Sequence, residues 1–309
     1  LKVNHYDVLV TTGPPHSLHL IGLSLKKKLP DLKWIADFRD PWTEISYYKH
    51  LKLTKIADKK HRKLESEVFK NADVTLATSY TDAENFRKKG ANAFCITNGF
   101  DVDASTTLSM TEENSKTLPL SNSTTKFTLS YIGVLEQLRN PEILWETLND
   151  LVQENADFKN DFELKFVGRL DDKILQKIES SALKNNLTNL GYQTHDVALK
   201  HMQDSTVLLM TNFPQESSKG IIPGKIFEYL ATGKTILSFG PKDADVEKIL
   251  NETKAGKHFG YDEKENLKNF ILESYQNWKS GTLNQNAENI EQFSRKNLTQ
   301  KLVDLMNKI

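Results

Sequence analysis

The chain has 309 residues, of which 38% are hydrophobic and 27% are charged, and its basic and acidic residues balance at 41 each. This composition is typical of a soluble globular protein with room for two domains, and zero net charge argues against a general nucleic-acid binder. A single cysteine, Cys95, excludes an internal disulfide and a cysteine-cluster metal site. The apolar runs are too short to span a membrane, and the first residues do not resemble a signal peptide, so we expect a cytoplasmic protein.

The first hundred residues alternate between apolar runs and amphipathic patterns. We predict strands at residues 6–12, 33–38, 73–78 and 93–97, and helices at residues 18–29, 54–71 and 81–89. Such alternation with short connections is typical of a parallel sheet covered by helices. After Asn98-Gly99-Phe100-Asp101 a polar stretch rich in Ser, Thr and Asn follows, so we expect a first domain over residues 1–101.

The same alternation resumes at residue 126. We predict strands at residues 126–132, 162–167, 187–190, 206–210, 235–239 and 256–259, and helices at residues 141–155, 172–184, 196–203, 225–232, 243–250, 262–278 and 286–307. The pattern predicts an α/β protein with two Rossmann-like, doubly wound domains. The second domain would cover residues 102–285, followed by a terminal helix within residues 286–309.

The stretch 220–240, GIIPGKIFEYLATGKTILSFG, contains the clearest candidate for a binding site. Pro223 and Gly224 lie where a helix should begin, and Lys225 falls in its first turn. A lysine there opposes the helix dipole, so it is easier to explain as a phosphate ligand than as a stabilising charge. Glu228 is three residues further on the same face, where its carboxylate suits two ribose hydroxyls. The alternative is an ordinary exposed Lys–Glu pair.

Other polar residues follow predicted strands, and in open α/β sheets ligands bind at these carboxyl ends. Gly133 would let a phosphate approach backbone amides, and Arg139 could contact the pyrophosphate with its guanidinium. Gly191-Tyr192 and His195 also follow a predicted strand. The alternatives are a plain strand-ending turn for Gly133, a solvated helix start for Arg139 and an ordinary helix cap after Tyr192.

In the first domain the strings TTGPPHS (residues 11–17) and ADFRDPW (residues 36–42) end two predicted strands. His16 and Asp40 are candidates for a group that removes a proton from an acceptor hydroxyl. Trp42 could form an apolar wall beside a sugar. Loop packing for His16, a capping role at Pro41 for Asp40 and a core position for Trp42 remain open alternatives.

PGKIFEYLATGKTIL (residues 223–237) resembles the donor-site segment of the GT-B glycosyltransferases with a retaining mechanism, often called family 4. TTGPPHS and ADFRDPW resemble acceptor-side loops of bacterial members, and NGFD (residues 98–101) resembles their interdomain crossing. The resemblance implies that the last helix crosses back to the first domain. It also implies a hexosyltransferase of polysaccharide biosynthesis that moves a sugar from a UDP- or GDP-linked donor to a glycan or lipid-linked acceptor.

The resemblance also assigns roles to residues. Lys225 and Arg139 would stabilise the leaving diphosphate, Glu228 would hold the ribose, and the region of Tyr192 would contact the base. Gly133 and Gly224 complete the donor site. No metal ion and no cofactor other than the nucleotide sugar would be needed.

Two positions depart from the family pattern. Val134 stands where relatives have an arginine, and Gly220 stands where many have the first of two glutamates, so Glu216 is a candidate substitute. The chain also opens inside the acceptor domain, so we expect that domain to lack its N-terminal part. An exposed sheet edge would follow from that.

Two other functions remain open: a nucleotide-sugar epimerase of the same fold, and a non-catalytic fragment that binds a nucleotide sugar. A lipid-linked acceptor would place the protein at the inner face of a membrane. Lys26-Lys27-Lys28, with Lys59 and Lys60, are the candidates for contact with anionic lipid. The alternative for these lysines is a solvated helix face.

Overall fold

The computed structural model describes residues 6–45, 48–101, 126–283 and 287–309. The chain divides into two compact units, one made of Leu1–Gly99 with Gln292–Ile309 and the other of Phe100–Glu291. Most of the polar stretch predicted at residues 102–126 lies outside the described residues. Each unit contains one parallel sheet, so the predicted α/β class is confirmed.

The first unit contains a four-stranded sheet in the order β1-β2-β3-β4. Its strands are β1 (Val8–Gly13), β2 (Lys33–Phe38), β3 (Val74–Ala77) and β4 (Ala93–Cys95). The helices between them are α1 (His19–Lys28), α2 (Lys55–Asn71) and α3 (Tyr80–Lys88). The side chains of Thr54 and Ser79 accept hydrogen bonds from backbone amides in the first turns of α2 and α3, which is why these helices begin there.

The second unit contains a six-stranded parallel sheet in the order β10-β9-β8-β5-β6-β7. Its strands are β5 (Phe127–Ile132), β6 (Phe162–Val167), β7 (Leu187–Asn189), β8 (Val207–Thr211), β9 (Thr235–Phe239) and β10 (Gly256–Phe259). Its helices are α4 (Glu142–Glu154), α5 (Ala156–Asp161), α6 (Asp172–Glu179), α7 (His195–Gln203), α8 (Lys225–Ala231), α9 (Asp245–Thr253) and α10 (Lys264–Lys279). The strand order reverses between β5 and β8, which is where such sheets open a crevice for ligands.

The end of the chain differs from the single helix predicted at residues 286–307. A short 3-10 turn covers Ile290–Phe293, and helix α11 covers Arg295–Met306. The hydroxyl of Ser294 accepts a hydrogen bond from the amide of Asn297, so a serine cap starts the helix later than its amphipathic pattern suggested.

Helix α11 belongs to the first unit and covers one face of its sheet. Along β2, Trp34 and Phe38 pack with residues of α1, α2 and α3. Ile35, between them in sequence, points to the other face, where it joins Val74, Leu76 and Leu305 of α11. The first sheet is therefore buried on both faces, as parallel sheets require.

The backbone of Gly99 passes close to the start of this terminal segment. A side-chain carbon built on Gly99 would clash with the carbonyl oxygen of Phe293 and with the side chain of Leu298. Gly99 therefore lies against residues 292–309, the segment that returns to the first unit, at a distance that only glycine allows.

Candidate functional site

The switch point of the second sheet has an open backbone surface at the end of β5. Gly133 follows β5 with φ at +119°, a conformation that strongly favours glycine. A side-chain carbon on Gly133 would meet no atom within 4 Å, so open space faces this backbone. On the neighbouring strand, Gly168 also has a positive φ, at +124°, and a side chain there would clash with Gly133. The two strand ends thus present main chain rather than side chains.

Arg139 lies beside this surface on the 3-10 turn Gln137–Arg139. Its Nη2 donates a hydrogen bond of 2.9 Å to the carbonyl oxygen of Val134, and its guanidinium carbon lies 5.5 Å from the ring centroid of Phe213. Its Nε is buried and has no hydrogen-bond partner among the described residues. An unpartnered buried donor of a cation is costly, so Arg139 retains capacity to bind an anion.

Lys225 is the first residue of α8 and reaches back to β5. Its Nζ lies 4.0 Å from the ring centroid of Tyr131 and 3.4 Å from the carbonyl oxygen of Ile132. Ile132 directly precedes Gly133, so the ammonium lies at the carboxyl end of β5. The structure therefore brings three of the predicted donor-site residues, Gly133, Arg139 and Lys225, to one end of one strand.

The side chain of Lys225 gains or loses its proton near neutral pH. Burial, the largest cause, and the nearby positive charge of Arg139 together lower its pKa from the ordinary 10.5 to about 7, and Glu228 opposes both effects. A bound anion would favour the protonated form. The charge state of this lysine thus depends on what occupies the space in front of it.

Glu228 is half-buried on the next turn of α8. Lys225 and Glu228 do not form an ion pair, and the carboxylate has no ion-pair partner in the described part of the chain. The surface Lys–Glu pair that the spacing left open is therefore absent. Gly224 precedes the helix, is exposed and has free space where a side chain would lie.

Tyr261, which follows β10, is a contributor that the sequence analysis missed. Its hydroxyl donates to the carbonyl oxygen of Asn212 at 2.5 Å and lies 3.4 Å from the carbonyl oxygen of Arg139. Burial raises its pKa, so the phenol stays protonated and keeps this bond. Tyr261 thus connects the loops that follow β5 and β8. No local sequence signal marks it, because its partners are far away along the chain.

The structure places Tyr192 and His195 away from this cluster. Tyr192 follows the edge strand β7 and is 87% exposed, and His195 is exposed at the start of α7. β7 lies two strands from β5, or about 10 Å at the usual strand spacing. The contact of Tyr192 with a base stays a prediction. Glu216, the candidate substitute carboxylate, is paired with Lys219 at 2.7 Å.

In the first unit, His16 and Asp40 meet at the ends of β1 and β2. The Nε2 of His16 lies 2.7 Å from the backbone carbonyl oxygen of Asp40, which can only accept, so this nitrogen carries the proton. The ring of His16 is buried and stacks on Trp42 with centroids 5.7 Å apart. The carboxylate of Asp40 is exposed. Trp42 is a core residue, 8% exposed, as one alternative anticipated.

The strand ends around these residues are closely connected. The hydroxyl of Thr12 donates to the carboxylate of Asp37 at 2.8 Å, and the amide of Arg39 donates to the carbonyl oxygen of Gly13 at 3.3 Å. The hydroxyl of Thr78, after β3, donates to the carbonyl oxygen of Arg39. Burial raises the pKa of Asp37, although Thr12 and Arg39 oppose the shift. The loop that carries Asp40 is therefore fixed by its neighbours.

His19 is a second histidine that the sequence analysis passed over. It is fully buried, stacks on Phe38 with centroids 4.2 Å apart, and bonds through Nδ1 to the hydroxyl of Thr11 at 2.9 Å. That hydroxyl also accepts a hydrogen bond from the indole of Trp34, and the Nε2 of His19 is buried with no hydrogen-bond partner among the described residues. Burial and the neighbouring His16 lower the pKa of His19 to about 4, so the ring is neutral at physiological pH.

In the described parts of the chain, no group of three or more His, Cys, Asp and Glu residues is arranged to hold a metal ion. None of the described helices combines the length and apolar character that a membrane span requires.

Comparisons with known proteins identify the fold. No family model and no curated protein matches the chain. Among solved structures, Anabaena HepE in complex with UDP-glucose matches with a TM-score of 0.63 and 17% identity, over 98% of this chain and 79% of that one. Sucrose-phosphate synthase from Thermosynechococcus elongatus matches with a TM-score of 0.59 and 16% identity, over 98% and 73%.

A candidate UDP-N-acetylglucosamine 2-epimerase from Listeria monocytogenes also matches, with a TM-score of 0.54 and 14% identity, over 98% of this chain and 74% of that one. At such identities the likeness shows the fold alone. Each of the two units is a parallel sheet with helices, as in these two-domain GT-B neighbours, so the fold class that the sequence resemblance implied is confirmed.

Proposed function

We propose that this protein is a retaining glycosyltransferase that moves a hexose from a nucleotide diphosphate sugar to a glycan or lipid-linked acceptor. One observation carries the proposal: Lys225 and Arg139 converge beside the open backbone of Gly133 at the switch point of the sheet, and within the described part of the chain neither cation forms an ion pair with a buried carboxylate. The ion pair of Arg139 with Glu136 is long, at 3.4 Å, and the glutamate is exposed.

The two cations suit the charge that develops during sugar transfer. When the bond between the sugar and the diphosphate breaks, negative charge accumulates on the leaving phosphate. Fixed positive groups in a partly desolvated site stabilise such charge without reorganisation. We assign this role to Lys225 and Arg139, so that protein cations rather than a metal ion balance the diphosphate. Glu228 would accept hydrogen bonds from the ribose hydroxyls.

The acceptor hydroxyl must lose a proton as its oxygen bonds to the sugar carbon. Asp40 is the better candidate for the base, because its carboxylate is exposed. The Nε2 of His16 already donates to the carbonyl of Asp40, which leaves only its Nδ1 to accept a proton. His16 would then act by fixing the loop of Asp40. We place this chemistry in the cytoplasm, in the synthesis of a bacterial polysaccharide.

A calorimetric titration tests the donor site directly. We expect the chain to bind UDP or GDP, and a Lys225→Ala, Glu228→Ala double variant to lose that binding. Lys254→Ala is the matched control, because Lys254 is an exposed lysine of the same unit that pairs with Glu288. If neither nucleotide binds to the folded chain, or if the double variant binds as well as the control, the proposed donor site is wrong.

The epimerase of similar fold supports a second candidate, a nucleotide-sugar epimerase. An epimerase returns an altered sugar nucleotide and needs no acceptor, whereas a transferase releases the nucleoside diphosphate. Incubation of the chain with UDP-glucose or UDP-N-acetylglucosamine, followed by NMR of the products, separates the two. An epimer in the absence of any acceptor would favour the second candidate.

A further inference from the structure

The first unit presents a strongly basic surface that the donor site does not use. We call residues 48–63 the basic segment: the 3-10 turn Tyr48–Leu51, a short connection, and the first half of α2. It contains the seven basic residues Lys49, Lys52, Lys55, Lys59, Lys60, Arg62 and Lys63. Its one acidic residue, Asp58, leaves a net charge of +6, whereas the whole chain has none.

Six of these seven positive charges face solvent without an ion-pair partner among the described residues. All seven side chains are exposed. Arg62 pairs with Asp58 at 3.0 Å, but none of the six lysines forms an ion pair with a residue that the structure describes. Lys55, Lys59 and Lys63 are spaced by four residues on α2, so they lie in a row on one side of the helix. The segment thus presents an unneutralised positive field.

Two large apolar side chains stand exposed among the lysines. Ile56 is 82% exposed at the start of α2, and Leu51 is 50% exposed at the end of the preceding turn. Tyr48 holds the two elements together, because its hydroxyl donates to Asp58 at 3.0 Å and its ring lies 6.0 Å from that of His61. These contacts hold the turn that carries Leu51 against the helix that carries Ile56.

The chemistry of this surface distinguishes between partners. A soluble polyanion, such as an oligonucleotide, would be attracted by the lysines but would gain little from Leu51 and Ile56. A bilayer with anionic headgroups uses both, because lysines attract the surface charge while apolar side chains enter the boundary between headgroups and acyl chains. Helix α1 offers a weaker contact, since two of its three lysines are paired with carboxylates, Lys26 with Asp73 and Lys27 with Glu67.

We propose that the basic segment docks the protein on a membrane surface rich in anionic phospholipid, with Leu51 and Ile56 inserted at headgroup depth. The attraction comes from several lysines that each add a small contribution, so it is steeply dependent on salt. The proposal does not depend on the donor site, because every residue in it belongs to the basic segment.

Vesicle cosedimentation of the full chain tests this proposal. We expect binding to vesicles of phosphatidylcholine with phosphatidylglycerol, and little binding to phosphatidylcholine alone. Binding should disappear as salt rises from about 0.01 M to about 1 M, which shortens the Debye length from about 30 Å to about 3 Å. Equal binding to both kinds of vesicle would overturn the electrostatic part of the proposal.

Charge reversal identifies the surface. We expect Lys55→Glu, Lys59→Glu, Lys63→Glu to reduce vesicle binding at least tenfold. The matched control is Lys296→Glu, Lys301→Glu, Lys308→Glu, which makes the same charge change at exposed residues of the same unit, on and beside α11. The segment is not the docking surface if both triple variants lose binding equally, or if the first keeps it. Circular dichroism confirms that each variant is folded.

The apolar anchors separate a membrane from a soluble polyanion. A Leu51→Ser, Ile56→Ser variant keeps all seven basic residues. Its affinity for a single-stranded oligonucleotide should therefore equal that of the unmodified chain. We expect its vesicle binding to fall at least fivefold. Unchanged vesicle binding would refute insertion, and preferential binding of the oligonucleotide by the unmodified chain would indicate a nucleic-acid partner instead.

Discussion

Lys225 Nζ rests 4.0 Å from the ring centroid of Tyr131, although the two residues are 94 positions apart in sequence. The face of an aromatic ring attracts a cation but offers it no lone pair for a hydrogen bond. Among the described residues, the hydrogen bond that this ammonium makes is a long one, to the carbonyl oxygen of Ile132 at 3.4 Å. A phosphate oxygen would therefore find donors on Lys225 that are not already committed to strong partners.

The pH dependence of donor binding is the first prediction. The pKa of Lys225 in the free protein is about 7, and a bound diphosphate will raise that pKa because it favours the protonated form. Binding above pH 7 therefore requires uptake of a proton. The affinity for UDP-glucose should be constant below pH 7 and should fall by up to tenfold per pH unit above it.

Calorimetry from about pH 6 to about pH 8.5 in buffers of different ionisation enthalpy measures this effect, because one proton is taken up per ligand where Lys225 is neutral. The charge of the diphosphate diester in UDP-glucose does not change in this range. Lys225→Met is the control: it should bind more weakly, with an affinity that does not vary with pH. An affinity of the unmodified chain for UDP-glucose that does not vary with pH would contradict the prediction.

The second prediction concerns Arg139. Its replacement by alanine removes a partly buried cation with an unpartnered Nε, so UDP-glucose binding should weaken by roughly tenfold to a hundredfold, as for loss of about 1.5–3 kcal/mol from a charged hydrogen bond. Arg139→Lys keeps the charge but not the planar fork, and it should restore only part of the affinity.

Arg139→Ala has a second consequence that a purely structural role would not produce. The positive charge of Arg139 lowers the pKa of Lys225, so its removal should shift the pH at which binding begins to weaken upward from about 7. An unchanged pH profile in Arg139→Ala would show that the two cations do not interact.

The third prediction concerns His19 and acid stability. Its pKa in the folded chain is about 4, below the ordinary 6.5, so the unfolded chain takes up a proton at higher pH than the folded chain does. The stabilisation is complete above pH 6.5 and is lost as the pH falls to about 4. A shift of this size corresponds to roughly 3–4 kcal/mol.

Urea denaturation at a series of pH values measures this loss. His19→Phe keeps a ring for stacking on Phe38 but has no titrating group, so its stability should fall less steeply between pH 6.5 and pH 4 than that of the unmodified chain. The variant should also be less stable at pH 7, because the hydroxyl of Thr11 loses its hydrogen bond to the ring of His19. Parallel pH profiles for the two proteins would exclude His19 as the source.

The fourth prediction concerns Gly99. Alanine at this position would overlap the carbonyl oxygen of Phe293, and a backbone atom cannot move aside as a flexible side chain can. We expect Gly99→Ala to lower the free energy of unfolding by about 1–3 kcal/mol, the usual cost of overpacking. Gly224→Ala is the comparison, since free space surrounds that residue, and its melting temperature should change little.

The sequence predicted the elements well and the long-range contacts poorly. Strands and helices followed from hydrophobic periodicity, and Gly133, Arg139 and Lys225 were found because polar residues after strands meet at one edge of a parallel sheet. Tyr131 and Tyr261 were missed, because a tyrosine in a buried strand or after an edge strand shows no local sign of its distant partners. Ser294 was missed because the amphipathic pattern continues across it.

The departure at Val134 illustrates how tertiary contact alters a sequence argument. Val134 cannot supply the positive charge of the arginine that the resembled family has directly after the glycine. Arg139, five residues later, folds back so that its Nη2 bonds to the carbonyl oxygen of Val134 itself. The guanidinium thus lies beside the position that the sequence left without a cation, and spacing alone could not show this.

The return of the chain to its first unit sets an order for biosynthesis. The ribosome releases the strands of that unit early, but α11 follows only after the whole of Phe100–Glu291 has been made. Until then Ile35, Val74 and Leu76 lack the apolar cover that Leu305 provides. The nascent first unit therefore exposes an apolar sheet face until α11 has been synthesised. A fragment that stops at Gly99 should aggregate unless α11 is supplied in trans.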